Sequence, residues 1–329
     1  MSPPYTWQTE QWQRLWRLRS AQRMPHAVLI RGGYGMGISE FARVLAASLL
    51  CAVPNSEGAP CGQCKSCMLF SAGNHPEYCR ITPEAKSTVI KIDQVRALPE
   101  FVGMRNLFGP FKVVVIDPAD AMNRNSANSL LKVLEEPPPQ SVILLVTERS
   151  RRLPATITSR CQRVDFFASS KAQGRDWLRK RVPDEDVELL LEMADNGPLK
   201  ALELWEAGAH KNRAAILEGF QALVSGLADP VAVAQDWSRG DSVLISGCLF
   251  KLFADLATLK FARGASIIGG SAGKETQLRA ISEQLGTRDL FAAYDRLLRC
   301  KELLNSERNI SAHNVFEELT INWCGLLHP

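Results

Sequence analysis

The sequence predicts an α/β domain with a largely parallel sheet in its first half and an all-helical second half. Three short apolar runs, at 27–30, 113–116 and 142–146, lack polar alternation, as strands buried on both faces do. Helical periodicity follows the first run over 39–50 and the second over 125–135. Strands that alternate with helices in this way form parallel sheets.

The second half shows no further buried-strand pattern. Residues 171–207 predict short helices broken at Pro183 and Gly197, and helical patterns then continue to the end with a Gly/Ser-rich break at 264–273. At 329 residues the chain is too long for one ordinary core. We expect an α/β base domain at 1–167, a small helical lid at 168–208 and a helical domain at 209–329.

Composition limits the classes of function. The chain is 46% hydrophobic and 22% charged, which is typical of a globular protein. Its net charge is only +4, from 39 basic and 35 acidic residues, which does not favour a protein that holds DNA by itself. The apolar runs are too short for a bilayer, and the N-terminus lacks the apolar region of a signal peptide. We expect a cytoplasmic protein without a membrane partner.

A glycine-rich segment at 32–39, GGYGMGIS, follows the first predicted strand and opens a helix. It fits the phosphate-loop pattern, in which backbone N–H groups surround phosphates and a lysine neutralises them. Ile38 stands at the lysine position, and losing that contact weakens nucleotide binding roughly tenfold to a hundredfold. A glycine-rich turn without any ligand is the alternative. The candidate nucleotide-site residues here are Gly32, Gly35, Gly37 and Ser39.

The second nucleotide element is also incomplete. The run at 113–116 ends in Asp117, a position suited to holding Mg²⁺ through water. An active ATPase of this type continues with a glutamate that polarises the attacking water, whereas this chain has Pro118. Loss of a general base costs ~10²–10⁴ in rate. We therefore predict an inherited nucleotide site that does not hydrolyse ATP.

Nine cysteines in a cytosolic chain direct attention to metal binding. Cys61, Cys64 and Cys67 follow one another at CxxC spacing, and Cys51 ends the preceding helix. Four thiolates suit a structural Zn²⁺ site, which predicts a zinc module at 51–67. An iron–sulfur cluster uses similar spacing, and Cys79 is an alternative fourth ligand.

Three tryptophans near the N-terminus, Trp7, Trp12 and Trp16, offer rings on which nucleotide bases stack. Their spacing nevertheless fits one side of a short helix, so we predict packing rather than base stacking. His26 and His75 have no acid or thiol at catalytic spacing, and we interpret both as structural.

Several short motifs follow one another in a characteristic order. They are His26-Ala27, the altered phosphate loop, the cysteines at 51 and 61–67, His75-Pro76, LLKVLEEPP at 130–138 and TSRC at 158–161. Over about residues 20–165 the chain thereby resembles bacterial clamp-loader subunits of the AAA+ family. Its combination of zinc cysteines and a Ser-Arg-Cys motif with broken ATP motifs is similar to the delta-prime class of DNA polymerase III.

The resemblance implies an AAA+ base with a zinc module, a lid and a C-terminal collar that holds a ring together. It implies that Arg160 is an arginine finger that reaches the ATP site of a neighbouring gamma/tau subunit, and that Thr147 is the polar first sensor. A surface salt bridge is the alternative for Arg160. The basic loop at 149–152 is either solvated or contacts DNA or a partner's nucleotide.

The implied function is that of a non-hydrolysing stator in the DNA polymerase III holoenzyme. Its partners would be gamma/tau and delta in a hetero-oligomeric ring, with the sliding clamp and primed DNA contacted through the assembly during replication. Two alternatives remain. One is a weakly active ATPase of the same family, and the other is a zinc-knuckle regulator that binds nucleic acid.

Overall fold

The structure is a computed structural model that describes residues 4–85, 87–148, 153–166, 171–262, 272–304 and 311–327. The basic loop at 149–152 and most of the Gly/Ser-rich break lie outside the described residues. The chain divides into two compact units, 1–177 and 178–329. The predicted division into base, lid and collar at 167/168 and 208/209 stays a prediction.

The first unit is an α/β domain. Its strands are β1 (Ala27–Gly32), β2 (Tyr78–Ile81), β3 (Lys112–Ile116), β4 (Ser141–Thr147) and β5 (Gln162–Phe166). Its helices are α1 (Thr9–Ser20), α2 (Ile38–Leu50), α3 (Lys65–Ser71), α4 (Ile92–Arg96), α5 (Leu98–Gly103), α6 (Arg124–Glu135), α7 (Ala155–Thr158) and α8 (Lys171–Arg179), whose last two residues belong to the second unit.

The strands form one sheet in the order β2-β3-β4-β1-β5, and every neighbouring pair is parallel. The predicted parallel α/β domain is therefore confirmed. The three apolar runs become the central strands β1, β3 and β4, because only central strands are covered on both faces. Since all strands point the same way, the residues that follow β1, β3 and β4 meet at one edge of the sheet.

Both faces of the sheet are buried by helices. On one face Leu29 and Val114 belong to a core that includes Leu130 and Leu134 of α6. On the other, the Phe41 ring of α2 lies 4.8 Å from the Phe166 ring. This packing fixes α2 on the sheet and thereby positions the loop that precedes α2.

The second unit is helical throughout its described residues. Its core surrounds Trp323, whose ring lies 5.0 Å from Phe253 and 5.5 Å from Phe220. Among the described residues of the whole chain, we find no helix with the length and apolar character needed to cross a membrane. The helices are α9 (Asp184–Met193), α10 (Pro198–Glu206), α11 (Ala209–Val224), α12 (Pro230–Ser238), α13 (Ser242–Phe261), α14 (Ala272–Gln284), α15 (Thr287–Leu304) and α16 (Ala312–Leu327).

Candidate functional site

Four cysteine thiols meet at the end of α2. The sulfur atoms of Cys51, Cys61, Cys64 and Cys67 all lie within 4.8 Å of one another. The Cys51–Cys64 distance is 3.9 Å and the Cys61–Cys67 distance is 4.0 Å. Tetrahedral zinc with Zn–S bonds of about 2.3 Å requires sulfur atoms about 3.8 Å apart. The donor set therefore fits a four-coordinate thiophilic metal.

Local backbone structure brings these thiols together. Cys51 caps the C-terminus of α2, and Cys64 caps the N-terminus of α3, where its sulfur accepts a hydrogen bond from the Cys67 N–H at 3.4 Å. Hydrogen bonds from the backbone N–H groups of Gln63 and Cys64 lower the pKa of the Cys61 thiol. These hydrogen bonds favour the thiolate of Cys61, which is the form that binds metal, whereas burial raises the pKa of the Cys51 and Cys67 thiols.

The predicted alternative ligand, Cys79, lies in β2 and packs against the core beneath the sheet. It does not belong to the group formed by the other four thiols. Cys51 completes the group because α2 ends at Leu50 and turns the chain back toward the CxxC segment.

Helix α1 braces the loop between Cys51 and Cys61. The Trp12 indole N–H donates to the Glu57 carbonyl at 2.8 Å, and Arg19 donates to the Cys51 carbonyl at 3.3 Å. Gly58 has a φ of +87°, and a Cβ added there would lie 2.5 Å from the Trp16 ring. The predicted packing role of these tryptophans fits this arrangement, with Trp12 only 5% exposed.

A buried polar chain joins α3 to the start of β2. Ser66 donates to the Leu50 carbonyl at 2.6 Å and lies 2.8 Å from His75 Nε2. His75 Nδ1 accepts from the Glu77 N–H at 3.1 Å, so the neutral ring carries its proton on Nε2 and donates it to Ser66. Burial lowers the pKa of His75. The structural interpretation of His75 is consistent with these contacts.

Glu77, which the sequence analysis missed, is fully buried. Its carboxylate accepts hydrogen bonds from the backbone N–H groups of Leu107, Phe108 and Gly109, the last two at 2.9 Å. Because donor and acceptor are some thirty positions apart in the chain, no local sequence pattern reveals the pair. Glu77 fixes the loop that leads into β3.

The predicted phosphate loop at 32–39 forms a glycine turn that leads into α2. Gly37 has a φ of +72° and caps the N-terminus of α2, a conformation that favours glycine. The Trp7 indole and the Gln8 amide donate to the Met36 carbonyl at 3.0 and 2.8 Å. Packing and hydrogen bonds from the N-terminus therefore hold the loop.

The lysine position of this loop is apolar and buried. Ile38 is 2% exposed, and a Cβ added to Gly32 would lie 2.8 Å from its Cγ2 atom. The Ile38 side chain thus packs into the small space that Gly32 leaves. It presents no charge to a phosphate.

Asp117 follows β3 and is 8% exposed. One of its oxygens accepts from the Ser39 hydroxyl at 3.0 Å, and the other lies 3.0 Å from the Arg80 guanidinium. Asp117, the predicted magnesium position, is thus bonded to Ser39 of the loop and has a protein cation beside it. Arg80 was missed because the pairing of β2 with β3 cannot be read from local sequence.

Thr147, at the end of β4, lies at the same edge of the sheet as the loop. Its hydroxyl donates to Asp120 at 2.7 Å. The structure therefore brings Gly32, Gly35, Gly37, Ser39, Asp117 and Thr147 to one edge.

Arg160 lies at the opposite, N-terminal end of the parallel strands. It precedes β5, which runs parallel to β1 with Val28 opposite Gln162, whereas the phosphate loop follows β1. One strand length, on the order of 15 Å, separates the two positions. The guanidinium donates to the Thr156 carbonyl at 2.9 Å, forms an ion pair with Glu135 at 2.8 Å, and remains 38% exposed.

Known proteins show similarity along the whole chain. Residues 7–170 match the family described as DNA polymerase III, delta subunit. DNA polymerase III subunit delta' of Pseudomonas aeruginosa is 34% identical over 335 residues, which cover 100% of both chains. The delta' subunit of Haemophilus influenzae is 36% identical over 197 residues, 59% of each chain. The tau/gamma subunit of the same organism is 34% identical over 173 residues, 51% of this chain and 25% of that one.

Proposed function

The chain belongs to the delta' family of DNA polymerase III clamp-loader subunits, and we propose that it is a stator that does not hydrolyse ATP. The observation that carries the proposal is the state of its own nucleotide site. Ile38 is buried where a lysine is needed, and Asp117 is paired with Arg80. These residues do not fit a magnesium nucleotide, and Pro118 supplies no general base.

The proposed contribution of the chain to hydrolysis is Arg160, acting in trans. Arg160 lies one strand length from its own phosphate loop, so it is not placed to serve that loop. Its exposed position permits contact with a neighbouring subunit. A guanidinium that reaches the γ-phosphate stabilises charge in phosphoryl transfer, which is worth ~10³–10⁵ in rate in related systems.

The neighbour that receives Arg160 is proposed to be a tau/gamma ATPase, with a delta subunit elsewhere in the ring. The relative named tau/gamma is similar in sequence to 51% of this chain. The sliding clamp and primed DNA are contacted through the assembly, in keeping with a net charge of only +4.

The proposed metal is a structural Zn²⁺ bound by the four thiols described above. Four protein ligands leave no open position, so the metal would stabilise the module and would not take part in chemistry. Residues 51–67 contact α1 through the Trp12–Glu57 hydrogen bond and contact the start of β2 through the Ser66–His75 hydrogen bond. The zinc module is therefore part of the base.

The test is a ring reconstituted with tau/gamma, delta and variants of this chain. The Arg160→Ala variant is expected to assemble normally and to lower DNA-stimulated ATP hydrolysis. The one site that loses its arginine finger should hydrolyse ATP more slowly by ~10³-fold or more. The loss is partial because the other sites would take arginines from tau/gamma neighbours. Arg160→Lys is expected to rescue poorly, since an ammonium lacks the planar pair of donors.

Arg163→Ala serves as the matched control, because Arg163 is an exposed arginine of β5 three residues away. Stoichiometry is checked first by mass measurement of the ring. An unchanged hydrolysis rate in a complete ring containing Arg160→Ala would contradict the finger. A loss of assembly with normal activity in the remaining rings would instead assign Arg160 a structural role.

A further inference from the structure

We propose that Glu135 is a positioning residue that orients Arg160 toward the neighbouring subunit. This inference rests on the finger role proposed above and adds a second residue to it. Glu135 is the last residue of α6, and its carboxylate lies 2.8 Å from the Arg160 guanidinium. Both side chains are partly exposed, at 50% and 38%.

The backbone around Arg160 is anchored before the side chain leaves it. Ile157 of α7 is fully buried, and the Arg160 N–H donates to the Ile157 carbonyl at 3.1 Å. The side chain is then held at two points, by the Thr156 carbonyl on Nη1 and by Glu135 on Nη2. Each terminal nitrogen of a guanidinium has two hydrogens, so N–H groups remain for a phosphate.

A role in folding accounts poorly for this pair. Ion pairs between partly exposed side chains contribute little to stability, because water screens them. A free arginine side chain, however, loses considerable rotamer freedom when it binds a phosphate. An ion pair that restricts the side chain beforehand removes part of that cost from the reacting complex.

Competition between Glu135 and the γ-phosphate would change the hydrolysis rate in the opposite direction. If Glu135 competed with the γ-phosphate for Arg160, removing its charge would raise the hydrolysis rate. The Thr156 carbonyl and Glu135 contact different terminal nitrogens of Arg160, and neither contact uses Nε. Hydrogens therefore remain for the γ-phosphate, which favours orientation over competition.

The experiment measures steady-state ATP hydrolysis by the reconstituted ring with Glu135→Gln. The expected result is a fall in kcat that is smaller than the partial fall caused by Arg160→Ala, because only the one site that takes Arg160 is slowed, by about two- to fivefold. The KM for ATP should change little, because tau/gamma still binds the nucleotide. Glu136→Gln is the matched control. Glu136 is exposed, and no ion pair of it is found within the described part of the chain.

A double-mutant cycle separates positioning from a structural role. In the Arg160→Ala background, Glu135→Gln is expected to cause no further fall, since the residue it positions is gone. Equal falls in both backgrounds, an unchanged kcat, or a raised kcat would each overturn the positioning role. If Arg160→Ala itself leaves the rate unchanged, the finger fails and the positioning role fails with it, which distinguishes that failure from the others.

Discussion

The cysteine cluster and the predicted phosphate loop lie in the same α/β unit but differ in how complete their candidate ligand sets are. The cluster keeps all four ligands at distances that suit one metal ion. The loop has a glycine turn before α2, but the side chain at position 38 is apolar and buried. Both regions are held by the first residues of the chain, through Trp7 and Gln8 at the loop and Trp12 at the cluster.

The difference is that packing fixes the backbone in both regions, while only the cluster presents a complete set of metal ligands. In the loop, Ile38 fills space against Gly32, and Arg80 supplies the positive charge beside Asp117. At a four-thiol metal site no other residue replaces a lost ligand, because removing one thiolate leaves three ligands and an open position. The two regions should therefore respond very differently to substitution.

Removal of a metal ligand is expected to have the largest effect. Cys64→Ser should reduce the zinc content from one ion per chain to none and expose residues 51–67 to hydrogen exchange. Structural zinc is worth on the order of 10 kcal/mol in small modules, while the sheet has its own buried core. Metal analysis and exchange measured by mass spectrometry provide the test, with Cys79→Ser as the control that should keep its zinc.

Three outcomes would contradict this prediction. A brown protein with iron absorption would identify an iron–sulfur cluster, and full zinc retention in Cys64→Ser would exclude that thiol as a ligand. Loss of the whole sheet on chelation would show that the module is needed for the core.

Packing of α1 on the cysteine loop is expected to give the next largest effect. Gly58→Ala adds a Cβ 2.5 Å from the Trp16 ring at a φ of +87°. Left-handed strain costs about 1–2 kcal/mol and overpacking a further 1–3 kcal/mol or so. Urea unfolding measures the loss of free energy of unfolding.

Gly73→Ala is the control for Gly58→Ala. Gly73 has a φ of +75° with no atom within 4 Å of an added Cβ, so it reports left-handed strain alone. Similar losses at the two positions would show that the Trp16 contact adds nothing to the hydrogen bonds by which α1 braces the loop.

Restoring charges to the phosphate loop is expected to have the smallest effect. Ile38→Lys should improve ATP binding roughly tenfold without making it depend on magnesium, because Arg80 still pairs with Asp117. Adding Arg80→Ser should give a further gain of about tenfold that requires Mg²⁺. Calorimetric titration with and without Mg²⁺ tests both steps, once the variants are shown to fold.

Neither variant should turn over ATP, because Pro118 remains at the glutamate position. Arg80→Lys is the control that keeps a cation beside Asp117 and should not create dependence on magnesium. ATP hydrolysis by the isolated unmodified chain that disappears in Asp117→Asn would refute the stator.

Much of this molecule follows from local patterns in its sequence. The apolar runs predict β1, β3 and β4 because these strands are buried on both faces, and periodicity locates α2 and α6 to within a residue. The edge strands β2 and β5 escape prediction, since they are short and carry polar residues on exposed positions. The CxxC spacing predicts three ligands directly, because they lie within one short segment.

The sequence by itself determined which charges are absent, namely those that Ile38 and Pro118 replace. Only the tertiary structure decided how the remaining charges are paired. Arg80 meets Asp117, Glu77 holds the loop before β3, and Glu135 contacts Arg160. The physical reason is that each pair joins residues on different elements, and the sheet order and helix packing that bring them together depend on the whole fold.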